Sequence, residues 1–511
     1  MKIRLLFSLL VAGLLLVWSC ERPNNPVEEG ILTFSGDTLE FDSIFTTLLT
    51  PSQRVMVYNE TGRAVNISRI WLEDGERTRF EMIVDGIQGK EVEDVSLANG
   101  DSLFVFLNIL SKLQDEFVEE YLNFQVGEEV QRVLIRGKII DAYFLTARLL
   151  QEGDFVNLDS GSFFFSQDTI LTPEKPIIMD GPIIIPENVT VTIEPGTEIF
   201  FTPYKFGITD SGGAPIFAFF SWLIVNGTLN AEGTADQPIT FQGSRFDSLY
   251  QENPAQWRGI RFGQFSRDNV MNHCVVKNGL IGIQVDSSSY TANPKLSMQY
   301  SEIRNMGVHG LVGQGFAPEI NPNTPPSVRM ENCVINTCKE RTFAMLGGGK
   351  YEFFNCTFAN YNISRFSRRT PQVLLNNWWT FDGSTANIYP AYAEFTNCII
   401  WGSEEDETVL DTLADASFEV LDLNHCMVRL SEDNLPTLDP HLRNSLVNQD
   451  PLFNDFFFRD YRLTEFSPAI NAGLDFPPAS SGYDDDFRNQ PDTFRYDGFD
   501  IGAFEYYPIE E

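Results

Sequence analysis

The sequence predicts an all-β chain in two folded parts, a β-sandwich followed by a solenoid of stacked coils. Three observations carry that reading. The composition is rich in residues that prefer strands and turns, with 43 Phe, 37 Gly and 13% aromatics, against few helix formers such as Ala and Lys. Short apolar runs alternate with polar residues between positions 31 and 140. A six-membered repeat centred on cysteine then runs from 272 to 430. At 511 residues the chain has room for two to four domains, or fewer if one is an elongated repeat. Its charge, 36 Lys+Arg against 71 Asp+Glu for a net −35, excludes nucleic acid as an expected partner, because that partner demands clustered cations to neutralise phosphates. A hydrophobic content of 43% supplies material for a core.

The N-terminus is a processing signal. Lys2 and Arg4 precede a thirteen-residue apolar run, Leu5 to Val17, too short to span a bilayer and of the length of a secretory h-region. It ends in Ser19-Cys20. A small residue then Cys after such a run resembles the lipobox of bacterial lipoproteins, although Trp18 is bulkier than that motif usually carries. The resemblance implies that residues 1–19 are removed and that Cys20 is acylated, giving a membrane anchor of several acyl chains. Residues 20–30 read as a Pro/Asn tether. Glu21, Glu28 and Glu29 resemble a diluted form of the acidic run that follows the Cys in surface lipoproteins of Bacteroidota. The expected location is the outer membrane, leaning to its outer surface.

Residues 31–145 form the expected sandwich. Runs such as RVMVYN (54–59), AVNISRIWL (64–72) and SLFVFLNIL (102–110) alternate with turn residues at sandwich spacing. Tyr58-Asn59 followed by Asn66-Ile67-Ser68 resembles the Ig-like modules that precede β-helices in exported bacterial proteins. With neither a Cys pair nor a catalytic cluster, the part reads as a spacer. A linker is expected over 146–165.

From 166 to 511 the texture changes. VTVTIEPGTEIFF (189–201) and LIVNGTLNAEGTADQPITFQG (223–243) resemble coils of the right-handed parallel β-helix, the pectin-lyase-like fold. In that fold each coil stacks about 4.8 Å above the last and buries its faces on its neighbours. The repeat agrees. His273, Tyr300, Asn332, Asn355, Asn397 and His425 form one column, and Cys274, Ser301, Cys333, Cys356, Cys398 and Cys426 the next. Two residues further on stand Val276, Ile303, Ile335, Phe358, Ile400 and Val428. Period-two geometry places the Cys and aliphatic columns inside. The residues between them, such as Val334 and Ile399, are then expected outside together with the His/Asn column. The Cys column should hold buried free thiols, with Cys338, outside the register, the one most open to pairing. Adjacent strand residues diverge, so His-Cys at 273–274 and 425–426 cannot close on one zinc ion.

The C-terminal stretches YRLTEFSPAINAG (461–473), YDDDFRN (483–489) and DGFDIGAFE (497–505) resemble the closing segment of such β-helix proteins. Two readings of their carboxylates stay open. Asp484, Asp486, Asp497 and Asp500 could supply oxygen ligands to Ca²⁺, or the Asp turns simply cap the helix in solvent.

The pectin-lyase-like resemblance implies polysaccharide lyases and glycoside hydrolases among its members. The ordered motifs of the polygalacturonase-type family are missing here: Val308-His309-Gly310 lacks the first Gly, and the Asp triplet lies in the closing segment. No catalytic residue is assigned. The best candidate patch is the insertion at 360–392, in the 42-residue step from Cys356 to Cys398, with Arg365, Arg368, Arg369, Trp378 and Trp379. Aromatic faces stack on sugars and Arg pairs with carboxylate or sulfate, so these five are expected to contact an acidic glycan. The loop 313–327 is a candidate rim beside it. The expected function is non-catalytic glycan binding, adhesion or a structural role. The alternative is a lyase or hydrolase of acidic polysaccharides.

Cys20→Ala should leave an uncleaved or wrongly processed precursor that takes up no alkyne fatty acid. Equal labelling of variant and wild type would reject the anchor.

Overall fold

Polar-apolar alternation along residues 31–140 builds two five-stranded sheets around one core. In the computed structural model, the described residues are 30–45, 52–109, 116–147, 162–203, 205–209, 215–219, 221–245, 251–316, 320–363, 367–381, 383–413, 418–474 and 498–506. Residues 1–19, expected to be a signal peptide, and Cys20, Arg365, Asp484, Asp485, Asp486 and Asp497 lie outside them. The chain divides into two units, Met1–Asp141 and Ala142–Glu511. In the first, one sheet is built around Ser102–Ile109 and the other around Glu129–Ile140 and Glu116–Val126. Val57, Val105 and Leu107 of one sheet share a core with Ile67, Leu122 and Phe124 of the other. Asn59 is fully buried. Its amide donates to the carbonyls of Arg63 (2.7 Å) and Leu97 (2.9 Å), and its Oδ1 accepts from the Thr61 amide at 3.1 Å. The Tyr58-Asn59 signature therefore marks a turn whose main-chain groups one side chain satisfies.

The second unit begins earlier than expected. Tyr143–Thr146, placed by the sequence at the end of the sandwich and the start of a linker, pairs in parallel with Ile177–Asp180 and opens the solenoid. Three long parallel sheets of 11, 9 and 10 strands follow, here called sheets I, II and III. Each coil visits them in that order. One coil runs Cys274–Lys277, Ile281–Asp286 and Leu296–Gln299, and the next Glu302–Met306, His309–Gln314 and Val328–Glu331. The strands stack in register, with Val276 opposite Ile303 and Ile335 in turn. Inward residues from all three sheets make one continuous core.

The corner from sheet III to sheet I explains the first column of the repeat. His273, Tyr300, Asn332, Asn355, Asn397 and His425 all have positive φ, between 46° and 53°. Asn tolerates that left-handed region better than most side chains. The residue after each corner turns inward and donates to the carbonyl two positions back. Cys333 Sγ reaches Glu331 O at 3.2 Å, Cys356 Sγ reaches Phe354 O at 3.2 Å, and Ser301 Oγ reaches Gln299 O at 2.6 Å. A small donor is what the column selects, which is why Ser replaces Cys without strain. Asn444 (φ 50°) and Ser445, whose Oγ donates to Leu423 O at 2.8 Å, continue the series for one more coil that the cysteine pattern did not reveal.

The outward column departs from expectation. Val275 and Glu302 are half-buried, but Val334, Thr357, Ile399 and Met427 are at most 3% exposed. A second core covers them, built with Phe453, Tyr461, Leu463, Ala469, Ile501 and Ala503. The C-terminal segment thus lies along the flank of sheet I. The Ala503 amide donates to Thr357 Oγ1 (2.9 Å), and Asn397 Nδ2 donates to Leu474 O (3.0 Å). Of the four calcium candidates only Asp500 is described. Its two oxygens accept the amides of Asn471 and Tyr506, each at 2.7 Å.

Cys274, Cys333, Cys338, Cys356, Cys398 and Cys426 are all buried free thiols. Cys338, expected to be the one most open to pairing, also faces the core, and burial pushes its thiol up to about 12. Burial likewise raises Cys333 and Cys398. Thiol reagents should leave these six unmodified in the native protein and titrate them all after denaturation. Rapid native labelling of Cys333 or Cys398 would overturn the register.

Candidate functional site

The structure redistributes the predicted patch. Arg368 is a correction: it is 3% exposed and cannot contact a glycan. Its guanidinium makes a two-pronged pair with Glu407, Nη1 to Oε2 at 2.8 Å and Nη2 to Oε1 at 2.7 Å, and also donates to Asn360 O at 2.6 Å. Burial raises the Glu407 carboxyl while Arg368 pulls it down. A Cβ on Gly402 would stand 2.4 Å from Glu407 Oε1, so only glycine fits beside the pair. The sequence showed an arginine in a loop. It did not show the carboxylate that a later coil brings beneath it.

Arg369 is exposed. Trp378–Thr380 pairs antiparallel with Ala386–Ile388 in a hairpin outside the three long sheets. Trp378 is half-buried and its indole N–H donates to Asp411 Oδ1 at 3.3 Å. Trp379 lies 5.7 Å from the ring of Phe316, which also meets Phe381 at 5.4 Å and Tyr389 at 5.7 Å. Phe316 belongs to the loop expected as a rim, so the two loops do meet, through aromatic edges.

Phe316 also ends a groove of about 620 Å³ on the outer face of sheet II. Ile184 and Ile224 form its aliphatic floor, and Phe164, Phe265 and Phe316 stand around it. Asn226, Gln264, Gln314 and Arg261 bring donors, and Glu187 and Asp286 bring carboxylates. A smaller hollow of about 150 Å³ shares Glu187, Asn226 and Phe265 and adds Arg267 and Tyr290. Asp286 Oδ2 accepts Arg261 Nε at 2.6 Å and its Oδ1 accepts Gln284 Nε2 at 2.8 Å. Arg267 Nη2 donates to Asn188 Oδ1 at 3.0 Å. Phe265 is 56% exposed and Tyr290 62%, both free to present a ring face to solvent.

Apart from Gln314 and Phe316 in the expected rim loop, none of these groove residues was a sequence candidate. Their signal was period-two alternation: Arg261 sits between inward Ile260 and Phe262, and Gln284 between inward Ile283 and Val285. The cysteine column marks sheet I alone, so it could not point to sheet II. Chemically, the site offers ring faces, amides and charge-balanced polar groups on a rigid wall, which suits a polyhydroxylated ligand.

A solenoid of three parallel sheets with a surface groove on one of them defines a parallel β-helix protein. No protein-family model and no curated protein matches the sequence. Among solved structures, the catalytic unit of a thermostable GH87 alpha-1,3-glucanase from Streptomyces thermodiastaticus is similar with a TM-score of 0.28 and 10% identity, over 80% of this chain and 77% of that one. A family 123 glycoside hydrolase from Clostridium perfringens is similar with a TM-score of 0.16 and 7% identity, over 46% of this chain and 62% of that one. Superpositions this loose carry no argument about the groove.

Arg368→Met should destabilise the second unit by about 3–5 kcal/mol, because it strands the Glu407 carboxylate in the interior. Adding Glu407→Leu should recover much of that loss. Thermal melts of the single and double variants test it; an unchanged melt for Arg368→Met would return Arg368 to the ligand candidates.

Proposed function

We propose that the protein is a non-catalytic glycan-binding β-helix whose ligand lies along the outer face of sheet II. The observation that carries this reading is the groove, with three phenylalanine rings around a set of side-chain amides. Sugars present C–H faces to aromatic rings and hydroxyls to amides, and a wall of stacked strands holds both arrays in register. The hairpin at 378–388 extends the aromatic rim through Trp379 and Phe316. Across the groove and its adjoining hollow, Glu187 and Asp286 balance Arg261 and Arg267. That balance favours a neutral glycan over an acidic one. In this reading the coils are right-handed, the first unit is an Ig-like spacer, and acylated Cys20 holds the molecule at the outer membrane.

A second reading, hydrolysis, has one observation in its favour: Glu187 and Asp286 share the groove, and inverting glycosidases use two carboxylates. Against it, both Asp286 oxygens are already engaged by Arg261 and Gln284, which leaves that residue poorly suited to exchange a proton.

Screening the purified protein against neutral and acidic polysaccharides should find a neutral ligand and no new reducing ends. Phe265→Ala should then weaken binding by about 1.4 kcal/mol or more, tenfold in Kd, with no change in melting temperature. Release of reducing ends by wild type, abolished by Glu187→Gln, would establish the hydrolase.

A further inference from the structure

Lys295 has no exposed surface. Lysine is almost never fully buried unless paired, because taking an ammonium out of water is expensive. Among the described residues, its Nζ forms no ion pair with a carboxylate. It donates instead to three main-chain carbonyls, Gly263 O at 3.2 Å, Gln264 O at 3.0 Å and Asp286 O. An ammonium has three N–H donors and no acceptor, so the three carbonyls match its full capacity. The Asp286 carboxylate, the nearest candidate counter-ion, faces Arg261 and Gln284.

All three of these residues line the groove. Gly263 and Gln264 form the corner that follows the sheet II strand Gly259–Phe262, and Asp286 ends the sheet II strand of the next coil, Ile281–Asp286. The ammonium therefore links the same edge of the groove across two successive coils. The Lys295 main chain is itself held: its carbonyl accepts the Asn269 amide N–H at 3.0 Å and Asn269 Nδ2 at 2.8 Å, and its N–H donates to Pro326 O at 3.1 Å. The Tyr290 ring lies 5.5 Å from Nζ, and the Tyr290 hydroxyl is 3.0 Å from Ser287 Oγ at the groove edge.

We infer that Lys295 is a positioning residue for the groove, its ammonium fixing the corner that carries Gln264 and Phe265 against the corner that carries Asp286 and Ser287. The inference rests on the glycan-binding reading for its functional consequence and on the three carbonyl contacts for its structural one. Lys295 touches no ligand. Without its charge, the Gln264 and Asp286 carbonyls lose the Lys295 donor and Gly263 O keeps only the Ser266 amide, and the two corners separate by relaxation toward water. The aromatic and amide arrays then lose their mutual spacing.

Lys295→Met keeps the stem and removes the donors; Lys295→Gln keeps two donors and is the milder variant should the first not fold. Hydrogen exchange would be followed at the amides of Gly263, Ser266 and Ser287, which bond to Val225 O, Gly263 O and Gln314 O, with the amides of Val334 and Ile399 in later coils as controls. The expected result is exchange at least tenfold faster at the three groove amides and unchanged at the controls. Binding of the neutral polysaccharide selected by the screen should weaken about tenfold, and Lys295→Arg should restore part of both effects. Wild-type exchange at the groove amides in a folded variant would overturn the inference, as would faster exchange spread evenly over all coils. If wild type binds no polysaccharide, the glycan reading fails by itself, and the exchange comparison still decides whether Lys295 sets the corners.

Discussion

From His273 to Asn444 each coil turns back from sheet III to sheet I through a residue with positive φ, and this run of the solenoid depends on that corner. A left-handed residue reverses the chain in one step and aims the next side chain inward. It also leaves carbonyls at the strand end that point into the interior. The inward thiol or hydroxyl that follows satisfies them, as Cys398 does for Thr396 O at 3.3 Å and Ser301 for Gln299 O. Corner and donor form one device, repeated at the 4.8 Å interval of parallel strands. Its two requirements, tolerance of αL and a small weak donor, account for the Asn/His/Tyr column and the Cys/Ser column together. Here the six described cysteines are free thiols facing the core.

Stacking solves burial along the solenoid axis but leaves the outside of each sheet to its own devices. Sheet I solves it with the C-terminal segment, which converts an outward aliphatic column into a second core. Sheet III keeps its outer face polar, with Glu352 and Arg329 paired across neighbouring coils at 3.5 Å. Sheet II does neither along its first coils. Its outer face carries the nearly buried Ile184 and Ile224 beside Arg261, Gln284 and Gln314, ringed by phenylalanines. A hollow with isoleucines at its base, phenylalanines around it and side-chain amides between them is the physical reason to look for a ligand there.

The buried charges follow the same economy of position. Arg368 and Glu407 are mutually compensated and tie a loop to the wall of a neighbouring coil. Lys295 has no ionic partner among the described residues and directs its donors to three carbonyls. The first pair is a fastening that could sit anywhere. The second charge sits where two groove-forming corners must keep their distance.

How much of this was legible in the sequence follows from what is local. The register of the Cys column, the inward aliphatic column and the alternation in the first unit are short-range patterns imposed by strand geometry, and the residues display them directly. Asn59, His273 and Asn332 likewise announce turns that their own side chains or φ preferences stabilise. The partners of those elements are not local. Glu407 meets Arg368, and Phe316 meets Trp379, only because coils of unequal length stack and bring distant positions side by side. Whether Ile399 faced water or a second core depended on where residues such as Phe453, Tyr461 and Ile501 came to lie, which no periodicity in its own strand encodes. The groove on sheet II was decided in the same way: its residues are spaced a coil apart, each unremarkable in its own segment, and only the stacked strands assemble them into a surface.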